Sequence, residues 1–309
     1  MIKSILFGLA CSFLMRPVLA QTDTTIIADD TTVVTKKTLM DTTVPFSITT
    51  EKIIPNKEPV YKLKPIIDFP LTVVNTAWSL YAFTKIYSKP VTDEDVVLSL
   101  NKNDINWFDR WGVRPYSPRL DKIAYIPFNA SMPLPLIFLI PKKTRKDFFK
   151  LTFLYLEAMS ITGLLYTGST YLVDRYRPYV YTSETPMEQR INGGGKNSFY
   201  AGHPALVATS LFFGAKVLSD YYPDSKIKWL FYTIAGGVTA TTVYWRQRGG
   251  MHFPSDLLLG ITQGALTGIL VPHFHKHRLV KDPNLSLSPF FNGQSHGLSL
   301  VYKLNANNH

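Results

Sequence analysis

Three short segments of this chain gather histidine, arginine and carboxylate beside predicted helix starts. The richest is Trp245-Arg246-Gln247-Arg248-Gly249-Gly250-Met251-His252-Phe253-Pro254-Ser255-Asp256. Pro254 suits the first position of a helix, which places Asp256 in the first turn, about one turn from His252. A carboxylate there can accept a hydrogen bond from one ring nitrogen of His252, fixing the tautomer and leaving the other nitrogen as a nucleophile. Taken alone, Asp256 reads more simply as an acidic residue complementing the helix dipole. The second segment is Ser198-Phe199-Tyr200-Ala201-Gly202-His203-Pro204. Here Pro204 suits the first helical position, His203 the cap, and the backbone N–H groups at Gly202 could stabilise an anion. A lone histidine at a cap is more often just a satisfied cap. The third is Asp174-Arg175-Tyr176-Arg177-Pro178, where Pro178 disfavours continuing a helix and leaves two arginines at its edge. Alone, that reads as an interfacial patch of snorkelling side chains.

Together the segments say more. Two histidines, one with a carboxylate, and arginines from two segments converge at three helix ends on one face. Phosphoryl transfer can use this set: guanidinium forks for the equatorial oxygens, an in-line nucleophile, and an acid for the leaving alkoxide.

The elements that must position these residues read as helices. The chain has 309 residues, 46% of them apolar, enough to bury a large core and to exclude disorder or a coiled-coil rod. Apolar stretches of helical length lie at 70–88, 123–141, 151–173, 204–218, 229–245 and 257–272. The last five are near or just under the length of a bilayer span. The fold class expected is mainly α, a bundle of about five or six apolar helices with the site at helix ends. An extended arm precedes it. The only cysteine is Cys11, which excludes a disulfide framework, a multi-cysteine zinc site and dithiol redox chemistry within the chain.

Residues 1–20 carry a lysine, a short apolar run and Val18-Leu19-Ala20, the pattern of a cleaved signal peptide. Export makes anionic lipids or phosphorylated substrates, not nucleic acid, the expected partners of the +11 charge. Residues 21–65 read as a threonine-rich arm, 66–282 as the helical domain with its motif core at 150–272, and 283–309 as a tail. The tail alternates apolar and polar residues around Asn292-Gly293, a hairpin signal. Basic loops at 142–150, 226–228 and 276–281 fall on one side of an up-down bundle and favour the cytoplasm, leaving 174–203 and 246–256 facing the periplasm.

The three segments resemble the motifs of the type 2 phosphatidic acid phosphatase superfamily, which includes bacterial acid phosphatases and vanadium haloperoxidases: K-x6-R-P, P-S-G-H and S-R-x5-H-x3-D. Arg177-Pro178, Gly202-His203, and Arg246, His252 and Asp256 keep their places in it. The resemblance implies that His252 attacks phosphorus to form a phosphohistidine, that Asp256 orients it, and that His203 protonates the leaving oxygen. Arg177, Arg246 and the N–H of Gly202 would hold the phosphate, with no metal or other cofactor. The chain departs from the pattern at Thr170, Tyr200, Ala201 and Trp245, where the family has lysine, proline, serine and serine. Each lost contact costs on the order of 1–3 kcal/mol of transition-state stabilisation, roughly fivefold to a hundredfold in rate. Arg175, Lys196 or Arg248 could replace the missing cation. The expected protein is a slow phosphatase of a membrane lipid phosphate or diphosphate, in the bacterial inner membrane or periplasm. The alternatives are a soluble periplasmic acid phosphatase and a non-catalytic phosphate-binding or scaffold protein.

Overall fold

The computed structural model describes residues 59–276, 285–291 and 296–302. The expected signal peptide and all but the end of the arm lie outside them. The helical order is α1 (Pro65–Ile86), α2 (Glu94–Ser99), α3 (Trp107–Arg110), α4 (Pro118–Ser131), α5 (Lys142–Arg145), α6 (Phe148–Leu172), α7 (Met187–Ile191), α8 (Gly202–Tyr221), α9 (Lys228–Arg248) and α10 (Pro254–Phe274). Two strands, β1 (Leu285–Phe291) and β2 (His296–Tyr302), pair antiparallel with Leu285 opposite Tyr302 and Phe291 opposite His296.

Helix α1 is amphipathic in the inverted sense. Its buried positions, Asp68, Thr72, Asn75, Ser79, Ala82 and Ile86, are mostly polar or small. Ile66, Phe69, Val73, Val74 and Leu80 face outward instead. In water this would leave apolar surface exposed for no gain; in lipid it is the stable orientation, because small and polar side chains pack between helices and apolar ones meet the acyl chains. The packing is close: a Cβ on Gly163 of α6 would come within 2.9 Å of Ser79 Oγ.

Among the described residues, three segments are long and apolar enough to cross a membrane by length and composition: Pro118–Leu139, Phe148–Leu172 and Pro254–Phe274. The 204–218 and 229–245 stretches form α8 and α9 but do not reach that threshold. Lys216 and Asp220 dilute the end of α8, and Lys228, Arg246 and Arg248 bound α9. The 123–141 stretch is not one helix either. It leaves α4 at Ser131 and continues from Leu134 to Leu139 as a 3-10 segment, where Pro133 and Pro135 cannot donate to an α-helical ladder.

Helices α8 and α10 form the central pair. Gly260, Gly264 and Gly268 recur every four residues, and a Cβ on each would strike the carbonyl oxygens of Ala201, Ala205 and Thr209 at 2.6, 2.2 and 2.5 Å. This stripe lets α10 lie against the α8 backbone, and so fixes the start of α8 beside the start of α10. At the other end Phe138, Leu151, Leu154, Tyr155, Phe213 and Val217 form the apolar core. Each of its fully buried large side chains contributes about 1.5–3 kcal/mol.

Candidate active site

The site lies where α6 ends and α8 and α10 begin. Its centre is His252, only 2% exposed, in the turn between α9 and α10. Its Nδ1 lies 2.8 Å from the backbone carbonyl oxygen of Ser198, which can only accept, so Nδ1 carries the proton and Nε2 keeps a free lone pair. Burial, then the charges of Arg177 and Arg246, hold the imidazole well below the usual histidine range. A neutral ring with a defined tautomer is the form a nucleophile needs.

Asp256 sits in the first turn of α10 but does not bond to His252, as the spacing suggests. Its Oδ2 accepts from the Ser198 hydroxyl at 2.6 Å and from the Phe253 N–H at 3.0 Å, while Oδ1 pairs with Arg175. The physical reason is the irregular segment at Ser198, which takes Asp256 on its hydroxyl and His252 on its carbonyl. Asp256 therefore reaches His252 through Ser198.

His203 lies inside the first turn of α8, since the helix starts at Gly202 and Ala201 is the cap, two positions earlier than Pro204 suggests. Its ring packs edge-on against Tyr125 at 4.6 Å between centroids and tilted against Phe128 at 4.8 Å, both on α4. Burial, then Arg246 and Arg177, push its pKa well below the ordinary value. The same two guanidinium charges thus act on both histidines. Gly202 is required by close approach: a Cβ there would lie 2.5 Å from the Tyr166 ring.

The two arginines of the expected phosphate clamp, Arg246 and Arg177, are held differently. Arg246 is 1% exposed and pairs with Asp121 of α4, whose other oxygen accepts from Tyr116 Oη at 3.1 Å; Arg246 Nε has no partner. Arg177 donates from Nε to the Gly194 carbonyl at 3.0 Å.

The three candidate substitutes for the missing cation are placed differently from one another. Arg175 is taken up by two carboxylates, Asp109 at 2.7 Å and Asp256. Lys196 donates to the Pro90 carbonyl at 3.2 Å, and Arg248 is exposed. The first-motif position, Thr170, is fully buried and donates to Phe199 and Tyr166 carbonyls. Lys89 reaches it from outside the motifs: its Nζ donates to the Thr170 carbonyl at 2.7 Å and pairs with Asp174 at 2.6 Å. Tyr200 and Ala201 serve packing, with Tyr200 Oη on Gln263 at 3.0 Å and the Ala201 carbonyl under Gly260.

Asp109, Asp121, Ser198 and Lys89 are the residues that sequence reasoning missed. Asp109, on α3, accepts from the Ser255 N–H at 2.9 Å, Ser255 Oγ at 2.6 Å and Asn106 Nδ2 at 2.8 Å, besides Arg175. Burial acts to raise its pKa, but the bonds from Ser255, Asn106 and Arg175 outweigh it and hold the carboxyl below the ordinary range. Asp109 and Asp256 thus grip Arg175 between them and tie α3 to the start of α10. A cleft of about 550 Å³ opens beside this network, lined by Asn106, Asp109, Arg175, Phe199 and Ser255. Neither histidine lines it.

Residues 151–279 match the profile of the PAP2 superfamily, and all three motifs fall inside the match. This part of the chain is similar to the PAP2 superfamily, and its helical architecture is the one that resemblance implies. A crystal structure described as the first transmembrane PAP2 type phosphatidylglycerolphosphate phosphatase, from Bacillus subtilis, aligns with 68% of this chain and 95% of its own at 21% identity. Its TM-score is 0.38. No curated protein matches the chain.

Proposed function

We propose that the protein is a phosphoric ester hydrolase that removes phosphate from a membrane lipid phosphomonoester or diphosphate. The observation that carries this reading is a neutral, tautomer-fixed His252 beside His203 and under the charges of two arginines. The phosphate dianion docks on Arg177 and Arg246, with the N–H groups at the start of α8 completing the cradle. His252 Nε2 attacks phosphorus in line, the P–N bond forming as the P–O bond to the lipid breaks, and His203 gives its proton to the leaving oxygen. His203 then takes a proton from water, which attacks the phosphohistidine and releases phosphate. No step calls for a metal.

A tension in this scheme resolves on binding. His203 must be protonated to act as an acid, yet burial and the arginines keep it neutral in the free protein. A bound dianion cancels those positive charges and raises its proton affinity, so the acid is armed by its own substrate.

The inverted surface of α1 supports a membrane protein over a soluble periplasmic one. An exported protein with its site facing the periplasm is the orientation the basic loops favour. The test is initial-rate phosphate release from a panel of lipid phosphates with EDTA present, wild type against His252→Ala. Release by the wild type that the variant loses supports the proposal. Equal release sinks it, and vanadate binding without turnover would favour a non-catalytic phosphate-binding protein.

A further inference from the structure

The opposite end of the bundle holds a second set of buried ionisable groups that the phosphatase chemistry does not use. His275, at the end of α10, lies about 28 Å from Asp256 at 1.5 Å per residue. Its Nε2 is 3.2 Å from Asp68 Oδ2 of α1 and 3.5 Å from Glu157 Oε2 of α6. All three side chains are at least nine-tenths buried. One ligand atom from each lies within 4.8 Å of the other two.

Three observations converge on a cation. First, His275 Nδ1 is 2.8 Å from the Val271 carbonyl, so that nitrogen carries a proton and Nε2 is the one aimed at the carboxylates. This is how metal-binding histidines are oriented, with the second nitrogen donating to a backbone carbonyl. Second, Glu157 Oε2 is buried, faces the cluster and has no hydrogen-bond partner. Third, no lysine or arginine pairs with Asp68 or Glu157 among the described residues. The nearby Lys276 and Lys216 both pair with Asp220. Two buried carboxylates facing one imidazole are therefore short of positive charge. A proton on Nε2 could serve only one of them, whereas a divalent ion binds all three at once. Ligand bonds of 2.0–2.2 Å in a tetrahedral site set ligand atoms about 3.3–3.6 Å apart, close to the two nitrogen–oxygen separations seen here.

We infer that Asp68, Glu157 and His275 form a structural site for a divalent transition-metal ion of the zinc class, which clamps α1 onto α6 and α10. One histidine nitrogen with two carboxylate oxygens suits Zn²⁺ and related ions better than Ca²⁺ or Mg²⁺. The clamp joins α1, which lies outside the PAP2 match, to two helices within it. Because the site is remote from His252, the ion governs stability and not the chemical step.

The test uses tag-free full-length protein in detergent, stripped with EDTA and exchanged into chelator-free buffer. Equilibrium dialysis against Zn²⁺ should give one ion per chain, and the midpoint of thermal unfolding should rise with Zn²⁺. Glu157→Gln and His275→Ala should each weaken binding tenfold or more, while His252→Ala binds as the wild type. In case those variants fold poorly, Co²⁺ added to the stripped wild type should give a visible absorption that one equivalent of Zn²⁺ abolishes. A wild type that binds no stoichiometric Zn²⁺, a Co²⁺ spectrum equal to that of the free ion, or binding lost in His252→Ala but kept in His275→Ala would overturn the assignment.

Discussion

Ser198→Ala separates two ways in which Asp256 can serve His252. The Ser198 hydroxyl donates to Asp256 at 2.6 Å while its carbonyl takes the Nδ1 proton of His252 at 2.8 Å. The substitution deletes only the first of these bonds, because the carbonyl is backbone. Ser198 and Asp256 are both fully buried, so no solvent replaces the lost hydroxyl. A hydrogen bond to an ionised group contributes about 1.5–3 kcal/mol. If that energy keeps the carbonyl where the transition state needs it, kcat falls by up to roughly 10- to 150-fold. KM should change little, since the arginines that hold phosphate are untouched. Asp256→Asn should lose at least as much, and the double variant should be no worse than Asp256→Asn, because both substitutions cut one relay. Phosphate release from a lipid phosphate at saturating substrate gives kcat, and thermal unfolding separates loss of folding from loss of chemistry. A Ser198→Ala enzyme within twofold of wild type beside a crippled Asp256→Asn would refute the relay, as would losses that simply multiply.

The depressed histidines give the pH profile a sign. His252 must be unprotonated to attack, and its lowered pKa carries activity to pH below the ordinary histidine range. His203 must be protonated, and a bound dianion raises its pKa, so the alkaline limb of kcat should lie at higher pH than that of kcat/KM; coincident limbs would contradict the arming of His203 by substrate. Asp121→Asn leaves the buried Arg246 guanidinium uncompensated beside Arg177, a loss of about 3 kcal/mol, toward the lower end for a buried pair because the Asp121 side chain is 19% exposed. Its unfolding midpoint should drop and partly recover with millimolar vanadate, and a drop with no recovery would mean that Arg246 does not face the anion site. Gly264→Ala puts a Cβ 2.2 Å from the Ala205 carbonyl and should cost about 1–3 kcal/mol of stability. Gly236→Ala on α9, with open space around it, is the control and should be neutral or stabilising. Equal midpoints for the two would show that the glycine stripe does not set the α8–α10 distance.

The parts of this molecule that were legible in the sequence are those whose signal is local. Pro254 and Asp256 mark the start of α10 within three residues, and Gly-His-Pro marks the start of α8 to within two. The partners of those residues were not legible, because they come from far along the chain. Asp109 lies 66 residues from Arg175 and 146 from Ser255, and Asp121 lies 125 from Arg246. Nothing in the polar run 89–122 distinguishes those two carboxylates from solvated ones. The role of Ser198 was hidden for a different reason. The spacing of His252 and Asp256 permits a direct contact, and only the path of a third segment between them excludes it. Helix α1 shows what averaging conceals. As a mean over 70–88 it is merely apolar, yet Asp68, Thr72, Asn75 and Ser79 recur at intervals of four, three and four, a polar stripe on one face. In a helix whose remaining surface is largely apolar, such a stripe is the face that turns inward when the rest meets lipid. The same stripe delivers Asp68 to His275 and Glu157, so the residue that looks least at home in an apolar helix is the one that fixes where the helix docks.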